Sequence, residues 1–194
     1  TGAASGIGAA SAALFTEQGA QVLAVDRPGT GLAERHKGMA TVQTLELDIT
    51  GDAAPATLVK TAQEKLGGID VLFNNAGVSS NALAEHMTDA DWDRTFAVNV
   101  RAMFRLCREA IPVLRQAAEK HGRARIINTA SVMAFDTDYG LSAYTSSKHG
   151  VAGLTKTLAL ELGKYGITAN YVLPGAIYTG MTKGNFDNPE IRKV

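Results

Sequence analysis

An α/β fold built on a parallel sheet is the architecture this sequence predicts, and three observations predict it. The chain opens on a glycine-rich turn, Thr1-Gly2-Ala3-Ala4-Ser5-Gly6-Ile7-Gly8, and runs straight into a helical pattern. Short β-branched apolar runs then alternate with longer helical patterns, as in stacked βαβ units. Finally, five strand ends carry polar or turn residues, which places them on the sheet edge where open α/β sheets bind ligands.

A chain of 194 residues suffices for one domain with a sizeable core, and no repeat, low-complexity tract or linker divides it. Residues 1–194 therefore read as a single domain. Lys and Arg total 19 against 19 for Asp and Glu, so the basic surplus of a nucleic-acid binder is missing. The lone Cys107 excludes an internal disulfide and fits a reducing compartment. No apolar run reaches membrane-spanning length and no charged-then-apolar leader opens the chain, so a soluble cytoplasmic enzyme is expected.

The elements follow in order. Ala9, Ala10, Ala12, Ala13 and Leu14 start the first helix, which stops at Gly19. A glycine turn of this kind needs a strand to deliver it, and none precedes Thr1. The chain thus reads as a fragment lacking its first, central strand. Such a fragment is expected to fold poorly, because it leaves strand edges and core uncovered. Strands are predicted at Gln21–Asp26, Thr41–Leu47, Asp70–Asn74, Arg125–Thr129 and Thr168–Leu173. Near-continuous runs such as Val71-Leu72-Phe73 suit strands buried on both faces. Helices are predicted over Ala53–Leu66, Val100–Lys120 and Ala143–Lys164. On the second of these, Val100, Met103, Phe104, Cys107, Ile111, Leu114 and Ala118 form an apolar stripe. Arg101, Arg105, Arg108 and Arg115 form another, read as a solvated or subunit-contacting face.

Gly2, Gly6 and Gly8 stand at spacing G-x-x-x-G-x-G, where a tight turn must approach a pyrophosphate without a Cβ in the way. The helix that follows offers free N–H groups and its positive dipole end to phosphates. Asp26 ends the next strand, about twenty residues on, where a carboxylate binds adenosine ribose hydroxyls or simply closes the strand. That acid repels a 2′-phosphate, and Ala3, Ala4 and Ser5 supply no basic residue to hold one. NAD is therefore expected over NADP, with Arg27 the one feature that favours NADP.

Tyr144 and Lys148 stand four apart at the start of a helix, on one face. The lysine cation is expected to lower the phenol pKa, which fits Tyr144 for general acid–base work. Ser131 follows the strand Ile126-Ile127-Asn128-Thr129 at the ligand-binding edge, placed to hydrogen-bond a substrate oxygen. Asn74-Asn75-Ala76-Gly77 and Pro174-Gly175 follow two other strands, and Asn99 begins the arginine-striped helix.

Together these pieces resemble the short-chain dehydrogenases/reductases. The matching segments are TGAASGIG at 1–8, Asp48, NNAG at 74–77, Asn99, Ser131, YTSSK at 144–148 and PGAIYT at 174–179, spread over almost the whole chain. The resemblance implies a doubly wound, three-layer α/β/α Rossmann fold lacking the first strand and the C-terminal elements. It implies that Tyr144 acts as general acid in reduction and base in oxidation. Lys148 would lower the tyrosine pKa and bind the nicotinamide ribose, Ser131 would hold the carbonyl oxygen, and Asn99 would anchor a water of a proton relay. The cofactor set it implies is Gly2, Ser5, Gly6, Ile7 and Gly8, then Asp26, Asp48 and Ile49, then Asn75, Ala76 and Gly77, with Tyr144 and Lys148. Pro174, Gly175, Ile177 and Thr179 complete that set, Thr179 at the carboxamide. A dimer or homotetramer is also implied, and a small-molecule carbonyl or alcohol as substrate.

Plainer roles stand beside these. Asp48 and Asn99 could cap helices, and Asn75 could hold a turn. His149 points away from Lys148 and is set aside, and no zinc-ligand spacing occurs. Met133, Phe135, Tyr139 and Leu141 suggest an apolar pocket wall, with Asp136 and Asp138 as polar contacts and 181–188 as a substrate lid. These allow a 3-oxoacyl thioester, a secondary alcohol or polyol, a cyclic diol or a steroid-like alcohol. Gly150, Ala152 and Gly153 would permit close helix contact, either across a subunit interface or against the chain's own sheet. The competing class is a catalytically silent, cofactor-binding regulatory protein of the same fold, whose mark would be loss of Ser131, Tyr144 or Lys148.

Overall fold

The computed structural model describes residues 1–187. The glycine turn leads into α1 (Gly6–Glu17), followed by β1 (Val22–Asp26), the one-turn α2 (Leu32–Arg35), β2 (Val42–Glu46), α3 (Ala54–Leu66) and β3 (Val71–Asn74). The second half runs α4 (Asp89–Phe96), α5 (Met103–His121), β4 (Ala124–Thr129), α6 (Ser142–Leu162), β5 (Ile167–Val172) and α7 (Lys183–Phe186). All five expected strands form, with ends shifted by a residue at most. Three short helices, α2, α4 and α7, escaped the sequence pattern. α2 is too brief to show a period, and α4 carries four charged residues among its eight and has no apolar stripe. A cap still marks its start, because Thr88 Oγ1 accepts the Asp91 N–H at 3.1 Å.

The strands pair in parallel as β1–β2 and β3–β4–β5. Registers such as Asp26 with Glu46 and Asn74 with Asn128 align the carboxyl ends. The one sheet expected from the sequence is thus two hydrogen-bonded pieces. Between β1 and β3 lies a cavity of about 450 Å³ lined by Val22 to Val25 on one side and Val71 to Phe73 on the other. Val71 stands 43% exposed, against the expectation that its strand is covered on both faces. Thr1 and Ala3 link the strand ends across the top. The Thr1 amino group donates to Phe73 O at 2.9 Å and the Ala3 N–H to Val25 O at 3.1 Å.

The main core lies on β4, where Ile126 is sealed against Cys107, Leu114, Val151 and Ile167. α5 is buried along two faces, since Leu106 packs with Val25, Ile49 and Leu58 in a second cluster while Cys107 serves the first. Phe104, assigned to the apolar stripe, is exposed instead. Of the four arginines read as a solvated or subunit-contacting face, Arg101, Arg108 and Arg115 are exposed and Arg105 is not. Arg105 is mostly covered and donates to Asp52 O at 2.6 Å and Thr50 O at 3.3 Å, tying α5 to the loop before α3. Arg115 lies over the Tyr165 ring at 3.8 Å. A buried polar chain crosses the layers. Asn74 Nδ2 reaches Asn128 Oδ1 at 2.9 Å and Cys107 Sγ at 3.3 Å, and Asn128 Nδ2 donates to Thr155 Oγ1 at 2.9 Å. Asn128 is thereby bonded at both ends of its amide, whereas Asn74 Oδ1 is buried without a partner among the described residues.

Candidate active site

The aligned carboxyl ends border a cavity of about 790 Å³. Its floor is the glycine turn. A Cβ on Gly8 would stand 2.1 Å from Gly2 O, a collision with backbone that no rotamer relieves, so only glycine fits. The turn is bound to the NNAG segment, because Asn75 and Ala76 both donate their N–H to Thr1 Oγ1, at 3.0 and 3.1 Å. Asn75 Nδ2 adds a bond to Thr1 O at 3.2 Å. Asn75 therefore does hold a turn, and it also lines the cavity. Ser5 precedes α1 without capping it through its side chain, so the first-turn N–H groups are left for another acceptor. Ser5, Gly6 and Ile7 line the cavity there, which is the donor set a pyrophosphate needs.

On one flank, the Asp26 carboxylate accepts from Ala4 N at 2.9 Å and Arg27 N at 2.8 Å, and each oxygen keeps a lone pair for a further donor. Asp48 Oδ1 accepts from Thr50 N at 2.9 Å and Thr50 Oγ1 at 2.7 Å, and those bonds hold its carboxyl below the usual range. It caps a turn rather than α3, whose first residue is Ala54. Ile49 lines the cavity beside it, and Pro174, Gly175, Ile177 and Thr179 close the opposite rim. Thr179 sits against Gly6, where a Cβ would meet its Cγ2 at 3.1 Å.

Ser131, Tyr144 and Lys148 border the same cavity as the turn. Ser131 Oγ accepts the Met133 N–H at 3.2 Å, which leaves its own proton free to donate. Lys148 is 3% exposed, and its Nζ donates to Thr129 O at 2.7 Å. Burial lowers its pKa from 10.5 to about 8. The ammonium stands 5.4 Å from the centre of the Tyr144 ring. Contrary to the expected depression, the phenol pKa is raised. Desolvation outweighs the opposing hydrogen bond with Ser131, and Lys148 is not among the dominant causes.

Two of the expected site residues stand back from the cavity. Gly8 lies beneath the turn. Asn99 is fully buried in a π-helical turn, Ala97–Ala102, that joins α4 to α5. It caps nothing. Its Oδ1 accepts from Val78 N and its Nδ2 donates to Val78 O, both at 2.9 Å, with a further contact to Ser147 Oγ at 3.0 Å. The suggested pocket wall of Met133, Phe135, Tyr139 and Leu141 does not border the cavity. Phe135 and Tyr139 are 69% and 84% exposed, and Asp136 and Asp138 are exposed too. Of the expected lid, Met181 and Thr182 line the rim, whereas residue 188 lies outside the described residues. His149 is exposed, with Nδ1 facing Thr145 O at 3.0 Å. Cys107 is no nucleophile, since burial drives its thiol pKa to about 12 against the pull of Asn74. Arg27, weighed as the feature that favours NADP, lines the cavity beside Asp26, and Thr30 and Arg94 line it without having been expected there, since no spacing rule marks them.

Comparison with known proteins decides the family. The family model described as "short chain dehydrogenase" matches residues 1–190. The chain belongs to that family. The 2-(R)-hydroxypropyl-CoM dehydrogenase of Xanthobacter autotrophicus is 38% identical, over 99% of this chain and 78% of the relative. The 3-ketoacyl-(acyl-carrier-protein) reductase of Brucella melitensis, solved with NADH, superposes with a TM-score of 0.90 at 32% identity, over 94% of this chain and 75% of that one. RhlG of Pseudomonas aeruginosa, solved with NADP, gives 0.91 at 28% identity, over 98% and 76%. This short-chain dehydrogenase thus has the three-layer α/β/α Rossmann fold and is an oxidoreductase of carbonyl or CH–OH groups. Its neighbours support a nicotinamide cofactor. Among the described residues, no helix is long and apolar enough to cross a membrane.

Proposed function

We propose that this chain, acting as one catalytic domain over 1–194, moves a hydride between NAD and a small carbonyl or secondary alcohol, with Tyr144 as general acid and base. One observation carries the reading: Ser131, Tyr144 and Lys148 border the same cavity as the glycine turn and Asp26. The bound dinucleotide supplies the hydride acceptor or donor. The protein's own groups do the rest. The raised phenol pKa keeps Tyr144 protonated at neutral pH, as an acid for reduction must be. Ser131, with its oxygen engaged by Met133, directs its proton at the substrate oxygen. Lys148, pinned by Thr129, presents its ammonium to the nicotinamide ribose. Asp26 accepts the adenosine ribose hydroxyls and repels a 2′-phosphate, which favours NAD over NADP. A 3-oxoacyl thioester or a secondary alcohol or polyol is the substrate class that fits best. We further propose a homo-oligomer, dimer or tetramer, on the strength of the exposed Gly153 and Leu160 on α6, and a cytoplasmic location, on the strength of the lone reduced Cys107.

Reduced-cofactor absorbance, followed with a panel of alcohols and ketones under NAD and NADP, tests this. Turnover with NAD that falls about 10²-fold or more in Tyr144→Phe is the expected result. Equal turnover in the variant would remove Tyr144 from its role, and a preference for NADP would overturn the reading of Asp26.

A further inference from the structure

His36 was not part of any expected site, yet it is 5% exposed and its ring reaches the glycine turn 33 residues away. It caps the end of α2, and its own carbonyl accepts from Met39 N at 3.1 Å, so its backbone is fixed from both sides. Nε2 lies 2.8 Å from Ala3 O. A carbonyl only accepts, so Nε2 is the donor of this bond. Nδ1 is buried and has no partner among the described residues.

Ala3 O belongs to the same peptide group as the Ala4 N–H, which donates to Asp26 Oδ2 at 2.9 Å. The two ends of one peptide plane are therefore held by two side chains, from the end of β1 and from the end of α2. Without the imidazole the carbonyl end of that plane loses its side-chain hold, next to Ser5 and Gly6, which line the cavity. Ala3, whose carbonyl the imidazole reaches, belongs to an apolar cluster with Ala24, Leu32 and Val42, where an aliphatic side chain would pack without a polar cost. A histidine there leaves one ring nitrogen unsatisfied, a cost that packing does not explain.

We propose that His36 is a positioning residue of the dinucleotide site. It locks the Ala3–Ala4 peptide and so sets affinity for the pyrophosphate and adenosine end of the cofactor, while leaving the chemical step alone. The proposal rests on the dinucleotide reading above. NADH fluorescence titration and steady-state kinetics on the unaltered protein, His36→Leu and His36→Gln test it. Leu keeps the packing and removes the donor; Gln restores an N–H at nearly the same reach.

The expected result is that Leu raises the NADH Kd and KM about tenfold with kcat changed less than twofold, and that Gln recovers Kd to within about threefold. NADH binding equally tight in His36→Leu overturns the role of His36 alone. Absence of NADH binding in the unaltered protein overturns the dinucleotide reading itself. Should the Leu variant not fold, the imidazole nitrogen resonances of the unaltered protein decide. A slowly exchanging Nε2–H that shifts on addition of NADH upholds the lock, and an Nδ1–H tautomer or an unmoved signal refutes it.

Discussion

Lys148 stands where a charge is costly, 3% exposed and with a single carbonyl as partner. Its folded pKa of about 8 lies below the 10.5 of an open chain. Between those values the unfolded chain holds a proton that the folded protein has released, so stability rises with pH across that window. Below pH 8 both states are protonated and this dependence vanishes. Tyr144 acts in the opposite sense but only above its ordinary value of 10, because a raised folded pKa means stability lost as pH climbs past it. Chemical denaturation between pH 7.5 and 9.5 is thus expected to show a rising midpoint. Lys148→Met should remove most of that rise and stabilise the protein at pH 7, by on the order of 3 kcal/mol if the whole shift is recovered. Parallel midpoint curves for the two proteins would contradict this account of the lysine.

The glycine turn and α1 act as a unit held from both sides. Asn75 and Ala76 hold Thr1 from the β3 side, while Asp26 and His36 hold the Ala3–Ala4 peptide from the other. Gly8 is the tightest point. Gly8→Ala would place a methyl 2.1 Å from Gly2 O, so the turn must open or α1 must shift. The expected outcome is a loss of about 1–3 kcal/mol in thermal or denaturant unfolding. NADH affinity should fall together with it. A Gly8→Ala protein with unchanged melting temperature and unchanged affinity would show that the turn is softer than its contacts imply. The π-helical turn before α5 is a second such device. It carries Asn99 inward to Val78 and Ser147, contacts that a helix N-terminus at that residue would not make.

At the scale of the molecule, the two sheet pieces differ in support. β4 has a partner on each side and carries the main core, whereas β1 has one partner and faces the cavity on its other edge. Two-stranded sheets are marginal unless something packs on them, and the β1–β2 piece rests on two small apolar clusters. Backbone amides of β1 and β2 are therefore expected to open first. Hydrogen exchange read by mass spectrometry should show peptides from 22–46 exchanging well before those from 124–172. Equal protection of both would mean that the cavity between β1 and β3 does not weaken the sheet.

Strand positions, the long helices and the set of polar strand ends were legible in the residues, because period-2 and period-3.6 patterns and glycine spacing are local properties. The family resemblance drew on the same motifs. So were Asp26 and the Tyr144–Lys148 pair, each defined by short spacing from its own element. What the sequence could not supply depends on contacts between distant segments. The inward turn of Asn99, the covering of Arg105 by the loop before α3 and the grip of His36 on Ala3 all join residues far apart in the chain. The Tyr144 pKa belongs to the same class. Sequence spacing brings the lysine near, but only packing decides how much water the phenol loses, and here desolvation wins.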